Sequence, residues 1–260
     1  MNQHQMSIIH PDAVIGKDVT ISPFVTIENN VIIGDNTYIH PNVVIMSGAR
    51  IGSNCQIFPG AVIAAVPQDL KFRGEETTVE IGNNTAIREC ATIHRGTITK
   101  GKTVVGNNCL LMAYSHVAHD CLLGDFVILG NATQLAGEVE IDDYAILSGG
   151  SLVHQFSKIG MHAMTQGGSK VSKDIPPYII VGREPITYYG INLVGLRRRG
   201  FDNEKISAIQ EIYRILYQSG MNNKEAVKCI EENIPDSKEK EIIITFIANS
   251  QRGIVRGYLE

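Results

Sequence analysis

Four histidines lie in the middle of the chain, in Ile93-His94-Arg95, His116-Val117-Ala118-His119-Asp120 and Val153-His154-Gln155. A neutral imidazole near pH 7 can take a proton from a weak acid and pass it on, and Asp120 beside His119 suits that general-base role. A zinc site is the other chemistry open to these residues. Three histidines on adjacent segments could hold the metal with one open position, though no clear third ligand accompanies His116 and His119. Isolated surface histidines with no role are the bland alternative. Arg197-Arg198-Arg199 is the one local concentration of basic charge. It could grip phosphate by bidentate contacts or be a solvated helix face. Neither a glycine-rich phosphate loop between strand and helix nor a GxSxG elbow occurs.

What positions these residues is a repeat of six. Isoleucine stands at every sixth place from Ile9 to Ile63, the period returns at Ile81, Ile87 and Ile93, and a third run goes from Val105 to Val171. Small or β-branched residues such as Val19, Val25, Cys55 and Ala61 sit four places after a ladder residue. A period of six fits neither a helix nor a plain strand. It fits a short strand and a tight corner, three of which close a triangular coil of eighteen residues. Inward side chains then stack on the coils above and below at about 4.8 Å. This is the hexapeptide form of the parallel β-helix. A β-sandwich would need hairpin signals and period-two alternation instead. Glycines that follow ladder residues are expected to serve the corners.

Residues eighteen apart share a face, so Ile9, Ile27, Ile45 and Ile63 begin one column. Two breaks, at 64–80 and 99–104, must leave the coil as loops, where function tends to collect. With their extra twelve and six residues subtracted, the column continues at Ile93, Val117, Leu135, Val153 and Val171. Both loops leave from this column. His94, His119, Gly137 and His154-Gln155 fall on it, with His116 at the preceding corner, so four of the eight histidines share one strip.

Composition bounds the rest. A narrow triangular core accounts for the absence of Trp, and a net charge of −4 gives no general case for nucleic-acid binding. No stretch is long and apolar enough to span a membrane. Residues 1–6 lack the pattern of a secretory signal, and the five cysteines are not grouped as metal ligands. Small buried thiols in a reducing, cytoplasmic setting are expected. The ladder stops near Asp174-Ile175-Pro176-Pro177. Three amphipathic helices follow: one after Asp202 and closed by Gly220, one over 223–233, and one over 238–254. The expected division is a β-helix domain over 1–180, whose residues 1–8 form an arm leading into the coils and which carries the two inserted loops, and a helical domain over 181–260.

Several motifs, in order, resemble the acyl-carrier-protein:UDP-N-acetylglucosamine O-acyltransferases. They are Gln68-Asp69-Leu70-Lys71-Phe72, Thr92-Ile93-His94-Arg95-Gly96-Thr97, Ser115 to Asp120, Val153 to Phe156, Asp174 to Tyr178, and Gly190 through Phe201. The resemblance covers nearly the whole chain. It implies a mainly β fold, a left-handed parallel β-helix of hexapeptide repeats with a C-terminal α-helical domain, against the usual crossover hand. It also implies a homotrimer with sites between subunits, and no metal or cofactor. The reaction implied is transfer of an (R)-3-hydroxyacyl group from acyl carrier protein to the sugar 3-hydroxyl of UDP-N-acetylglucosamine, which opens lipid A synthesis. By position, His119 resembles the general base and Asp120 its supporting carboxylate. Gly137 resembles the residue whose N–H faces the oxyanion. Gln68, Asp69, Lys71, His94, His116 and Gln155 match sugar-nucleotide contacts. Asn192, Arg198 and Arg199 match residues approaching the nucleotide from the adjacent subunit. Gly167 matches a position limiting acyl length; glycine there leaves room for a chain of about 14 carbons or more. Glu138 and Val194 depart from the family pattern, where His and Glu are common, which leaves a 3-amino sugar nucleotide open.

Rival expectations remain. A related N-acyltransferase carries a domain before the coils, for which a ladder starting at Ile9 leaves no room. A coenzyme-A-dependent sugar acetyltransferase fits the 68–72 loop and helical tail poorly. A zinc enzyme of carbonic-anhydrase type would need stoichiometric metal. A scaffold trimer would be indifferent to His119.

Overall fold

The computed structural model describes residues 2–257; Met1 and residues 258–260, the outer ends of the two expected domains, lie outside it. Strands of mostly two residues form three parallel sheets whose order follows the predicted columns. Among the described residues, nine strands carry the Ile9 column, eight the Ile15 column and ten the Ile21 column, whose sheet gains an eleventh, antiparallel strand at its end. Ladder residues pair directly, as Ile27 with Ile45 and Val117 with Leu135. From Ile21 to Val171 they are buried, while Ile9 and Ile15 in the first coil are only partly covered. The core is therefore a stacked column of Ile, Val and Leu down the prism axis, each residue shielded by its neighbours one coil away.

The corners differ from the expected use of glycine. Positive φ falls three places after the ladder residue and mostly on other types, such as Asn36 (58°), Asn54 (58°), Asn108 (56°) and Tyr144 (62°). Asn and Asp tolerate this conformation best among residues with a Cβ. Glycines directly after the ladder meet a different demand, close stacking. A Cβ on Gly34 would lie 2.7 Å from the Gly52 carbonyl carbon, and one on Gly106 would lie 2.3 Å from the Gly124 oxygen. A second ladder runs along the same corner. Asp35 Oδ1 accepts the Lys17 N–H at 2.7 Å, and Asn107 and Asp125 do the same for Asn83 and Asn107 at 2.8 and 2.7 Å.

Both excursions leave the Ile9 face, but their bounds shift. Residues 62–65 and 78–81 are strand, so the first projects over 66–77. The second covers 95–101, because strand resumes at Lys102 in register with Thr78. At the N-terminus, Asn2–Gln3 pairs with Thr20–Ile21, so part of the expected arm is already coil. At the other end pairing continues a few residues past the expected stop, on two of the three faces: Ile175 bridges to Ile159, and Ile179–Gly182 extends the Ile21 sheet before an antiparallel strand at Thr187–Ile191.

Among the described residues four helices follow: α1 (Leu193–Arg198), α2 (Asn203–Gln218), α3 (Asn223–Asn233) and α4 (Lys238–Ala248). α1 was not foreseen, and α4 stops six residues short of the expected 254. Its missing turn is replaced by chain tied to the coil: Ser250 Oγ donates to Asp174 Oδ2 at 2.6 Å, and Val255 N–H to the Asp174 carbonyl at 2.9 Å. Asp202 caps α2 through the Lys205 N–H at 2.8 Å, and Asn222 and Glu225 form a capping box on α3. The helices are moored to the coil by Tyr213, whose hydroxyl donates to the Pro177 carbonyl at 2.6 Å.

Candidate active site

The exit edge of the Ile9 face opens into a cleft of about 610 Å³. Gln68, His94, His116, His119, Gly137, His154 and Gln155 line it. Column counting thus brings the four histidines together. His116 sits in a strand (His116–Val117) rather than at a corner, facing outward beside the buried Val117. Sequence reasoning missed Gln134, Leu152 and Lys170 on the same wall. Their only signal was position, each being the outward residue before a ladder residue.

His119 occupies the corner after Val117 and is 9% exposed. Its Nδ1 lies 2.8 Å from Asp120 Oδ2. Asp120 is fully buried. Its Oδ1 accepts the N–H groups of Thr97 (3.0 Å) and Lys100 (3.1 Å), and its Oδ2 accepts the Thr97 hydroxyl (2.6 Å). Burial alone would raise the carboxyl; the bonds from Thr97, His119 and Lys100 more than offset it and hold it below the usual range. An ionised Asp120 only accepts, so Nδ1 carries the proton of that contact, and in the neutral ring Nε2 keeps its lone pair. That nitrogen is left to act as a base.

Gly137 lies one coil on, under the ring. A Cβ there would stand 2.5 Å from His119 Cε1 and 2.6 Å from Nε2, so only glycine admits the imidazole. Glu138 N–H donates to the His119 carbonyl at 3.0 Å, which fixes this coil against the last. Among the described residues no acceptor takes the Gly137 N–H. A backbone donor therefore stands free within the same corner.

His94 and His116 meet edge to face at 4.7 Å, and His116 Nδ1 is bonded to Thr92 Oγ1 at 2.8 Å. Burial, with His116 and His119 nearby, pushes His94 down to about 4; burial and His119 lower His116 as well. Both are neutral at pH 7. No group of three His, Cys, Asp or Glu among the described residues is placed to hold a metal.

Other expected residues stand apart from the cleft within one chain. Asp69 and Lys71 form the tip of the first excursion, where Asp69 Oδ1 accepts the Lys71 N–H at 2.9 Å. Arg95 anchors that excursion, its guanidinium 5.4 Å from the Phe72 ring centre. Asn192, Arg198 and Arg199 lie at the corner between the Ile15 and Ile21 faces, a different edge of the prism. Asn192 is 4% exposed; it caps α1 through the Gly195 N–H at 3.1 Å and donates to the His162 carbonyl at 2.9 Å. Arg199 covers the Tyr144 ring at 4.6 Å, part of an aromatic stack through Phe126, His162 and Tyr178. Arg198 is exposed. Gly167 sits at the third corner, with the Gly149 oxygen 3.5 Å from where a Cβ would be, so a side chain would fit.

Repeating hexads, a triangular coil and a histidine cleft define a hexapeptide-repeat transferase. Residues 30–65 and 102–137 match the family described as bacterial transferase hexapeptide (six repeats), and residues 174–255 match UDP N-acetylglucosamine O-acyltransferase, domain 2. A relative in Thiobacillus denitrificans, named acyl-[acyl-carrier-protein]--UDP-N-acetylglucosamine O-acyltransferase, is 44% identical over 97% of this chain and 98% of its own. A crystal structure of a UDP-N-acetylglucosamine acyltransferase from Bacteroides fragilis superposes with a TM-score of 0.96 at 58% identity, covering 97% of this chain and 99% of that one. The Francisella novicida UDP-N-acetylglucosamine acyltransferase gives 0.95 at 44%, covering 97% and 93%. The chain belongs to the acyl-[acyl-carrier-protein]--UDP-N-acetylglucosamine O-acyltransferase family. It is an acyltransferase, and its coil is the left-handed β-helix of hexapeptide repeats with a few C-terminal helices.

Proposed function

We propose that this enzyme moves an (R)-3-hydroxyacyl group from acyl carrier protein to the 3-hydroxyl of UDP-N-acetylglucosamine, the first step of lipid A synthesis, with His119 as general base. The supporting observation is the His119–Asp120 contact at 2.8 Å, which leaves Nε2 free in the cleft. A sugar hydroxyl is a poor nucleophile until its proton is removed as it attacks. His119 Nε2 takes that proton while the sugar oxygen bonds to the thioester carbonyl carbon. The resulting oxyanion takes a hydrogen bond from the Gly137 N–H, a donor held by the coil before the reaction starts. Collapse expels the carrier thiolate, which takes the proton back from His119, and the ester is left on the sugar.

Gln68, Asp69, Lys71, His94, His116 and Gln155 would hold the sugar nucleotide. His94 and His116 suit that role because, uncharged, they offer hydrogen bonds without raising the charge beside His119. Arg198 and Arg199 would reach the phosphates from the adjacent copy of a homotrimer, since they stand on another edge of their own prism; Asn192 would serve by capping their helix. The half-buried outward row Leu110, Ile128, Ile146 and Met164 on the Ile21 face supports such an apolar interface. Gly167 leaves space for a long acyl chain, of about 14 carbons or more. The identity of 44% over nearly the full chain favours this reaction over an N-acyltransferase or acetyltransferase.

Purified protein is incubated with carrier-protein thioesters of several lengths and with UDP-N-acetylglucosamine or its 3-amino analogue, and products are read by mass spectrometry. A 3-O-acyl product with a long 3-hydroxyacyl chain is expected. Exclusive use of the amino sugar, or of acetyl-coenzyme A, would replace the proposal.

A further inference from the structure

The second excursion is more than a bridge between two strands. Its groups converge on one carboxylate. Thr97 contributes its N–H to Asp120 Oδ1 (3.0 Å) and its hydroxyl to Oδ2 (2.6 Å), and the Lys100 N–H reaches Oδ1 at 3.1 Å. Thr97 is 5% exposed, so water does not compete for these bonds. The segment is folded to present them. Thr99 N–H donates back to Thr97 Oγ1 at 3.2 Å, and Gly101 N–H closes on the Thr97 carbonyl at 2.8 Å. Gly96 must lack a side chain, since a Cβ there would stand 2.3 Å from the Lys102 nitrogen. Lys100 Nζ then ties the loop to Glu140 at 2.9 Å, and Glu140 is held from its other side by Lys158 at 3.0 Å. Glu138 and Phe156 occupy the same corner position one and two coils on, and no such cradle surrounds their side chains among the described residues.

We propose that Thr97 is a positioning residue for acyl transfer: its hydroxyl, which shares Asp120 Oδ2 with His119, fixes the carboxylate and sets how strongly it holds the imidazole. This rests on His119 being the base. A donor to a carboxylate favours the charged form and draws charge from the accepting oxygen. With the Thr97 hydroxyl present, Oδ2 divides its negative charge between two partners. Without it, Oδ2 faces His119 alone, and the imidazolium is stabilised more. The other groups around the pair are unchanged by that substitution: His94 and His116 across the cleft, His154 and Lys170 further along it, Glu138 on the next coil, and Lys100 and Cys121 beside Asp120.

The test compares Thr97→Val, which keeps the shape and loses the donor, with Thr97→Ser, which keeps the donor. The readouts are the pH profile of kcat/KM and the titration of the His119 ring by nitrogen-15 NMR, assigned through His119→Gln. In Thr97→Val, the acidic limb and the ring titration move up by about 0.5–1 pH unit, kcat falls about tenfold, and KM stays within about twofold. Thr97→Ser behaves as wild type. A slower Thr97→Val enzyme with an unmoved limb and an unmoved ring titration would make Thr97 a mere loop support and overturn the proposal. Should Thr97→Val not fold, Thr97→Cys, a weaker donor, is read in the same two ways. Retained transfer in His119→Gln would remove His119 as the base and overturn the role of Thr97 with it, whereas lost transfer there with unmoved Thr97→Val readouts would overturn the Thr97 proposal alone.

Discussion

At the scale of single residues, the cleft depends on fit as much as on chemistry. Replacing His119 with Ala removes the base and should lower kcat by about 10²–10⁴ with little change in KM; activity within tenfold of wild type would remove it from that role. Gly137→Ala tests the space rather than the proton. Its methyl would meet the ring at 2.5 Å, so the imidazole must turn away from Asp120, and a loss of about 10² or more is expected with the fold intact. Circular dichroism and a steady-state assay separate these outcomes. Buried histidines also set a pH limit. His94 and His162 are both pushed down to about 4, mainly by burial, with His116 beside the first and Arg199 beside the second. In the unfolded chain each returns to about 6.5. Between those values the unfolded chain binds protons that the folded chain refuses, so stability falls as pH drops from about 6.5 towards 4. Tm should decline across that window, and His162→Phe, which keeps the aromatic stack, should lessen the decline. A flat Tm down to pH 4.5 would contradict it.

At the scale of elements, the glycines after ladder residues carry the stacking of the Ile15 face. Gly106→Ala puts a methyl 2.3 Å from the Gly124 oxygen and should cost about 1–3 kcal/mol by overpacking, read from denaturant midpoints at constant m-value. The hexads disclosed most of this architecture because a period of six has one geometric solution, and column arithmetic placed His94, His119 and His154 on a common edge. What stayed hidden was contact across long sequence distance. Nothing in the order of residues shows that Thr97 bonds Asp120, that Asn192 is buried as a helix cap, or that Asp174 draws the chain at 250–255 out of helix. α1 escaped because six residues give too short a period to read. The left-handed corner position went unrecognised because Asn, Asp, Tyr, Phe and Cys share it, and no single residue type marks it.

At the scale of the whole molecule, nearest-neighbour stacking makes stability a sum over coils. Among the described residues, the first strands of the Ile9 and Ile15 faces are paired on one side only, whereas at the other end Thr187–Ile191 extends the Ile21 sheet and Tyr213 of α2 bonds the Pro177 carbonyl. Amide exchange should therefore be fastest around Ile8–Ile15 and slow progressively towards Val117; uniform protection along the rod would contradict that picture. The proposed trimer belongs to this scale too. Ile128→Asp together with Ile146→Asp should yield monomers by sedimentation and no transfer, since each cleft would lose the adjacent copy's arginines.

Eighteen residues per turn also gives the chain a reading frame. Insertions of eighteen would lengthen the rod and return every later side chain to its own face. Deleting six would leave the pattern of isoleucines looking undisturbed, yet each downstream residue would rotate by a third of a turn and His119 would emerge on the wrong edge. The enzyme can thus vary in length only by whole turns, or by sequence that departs from the rod altogether, as both of its excursions do.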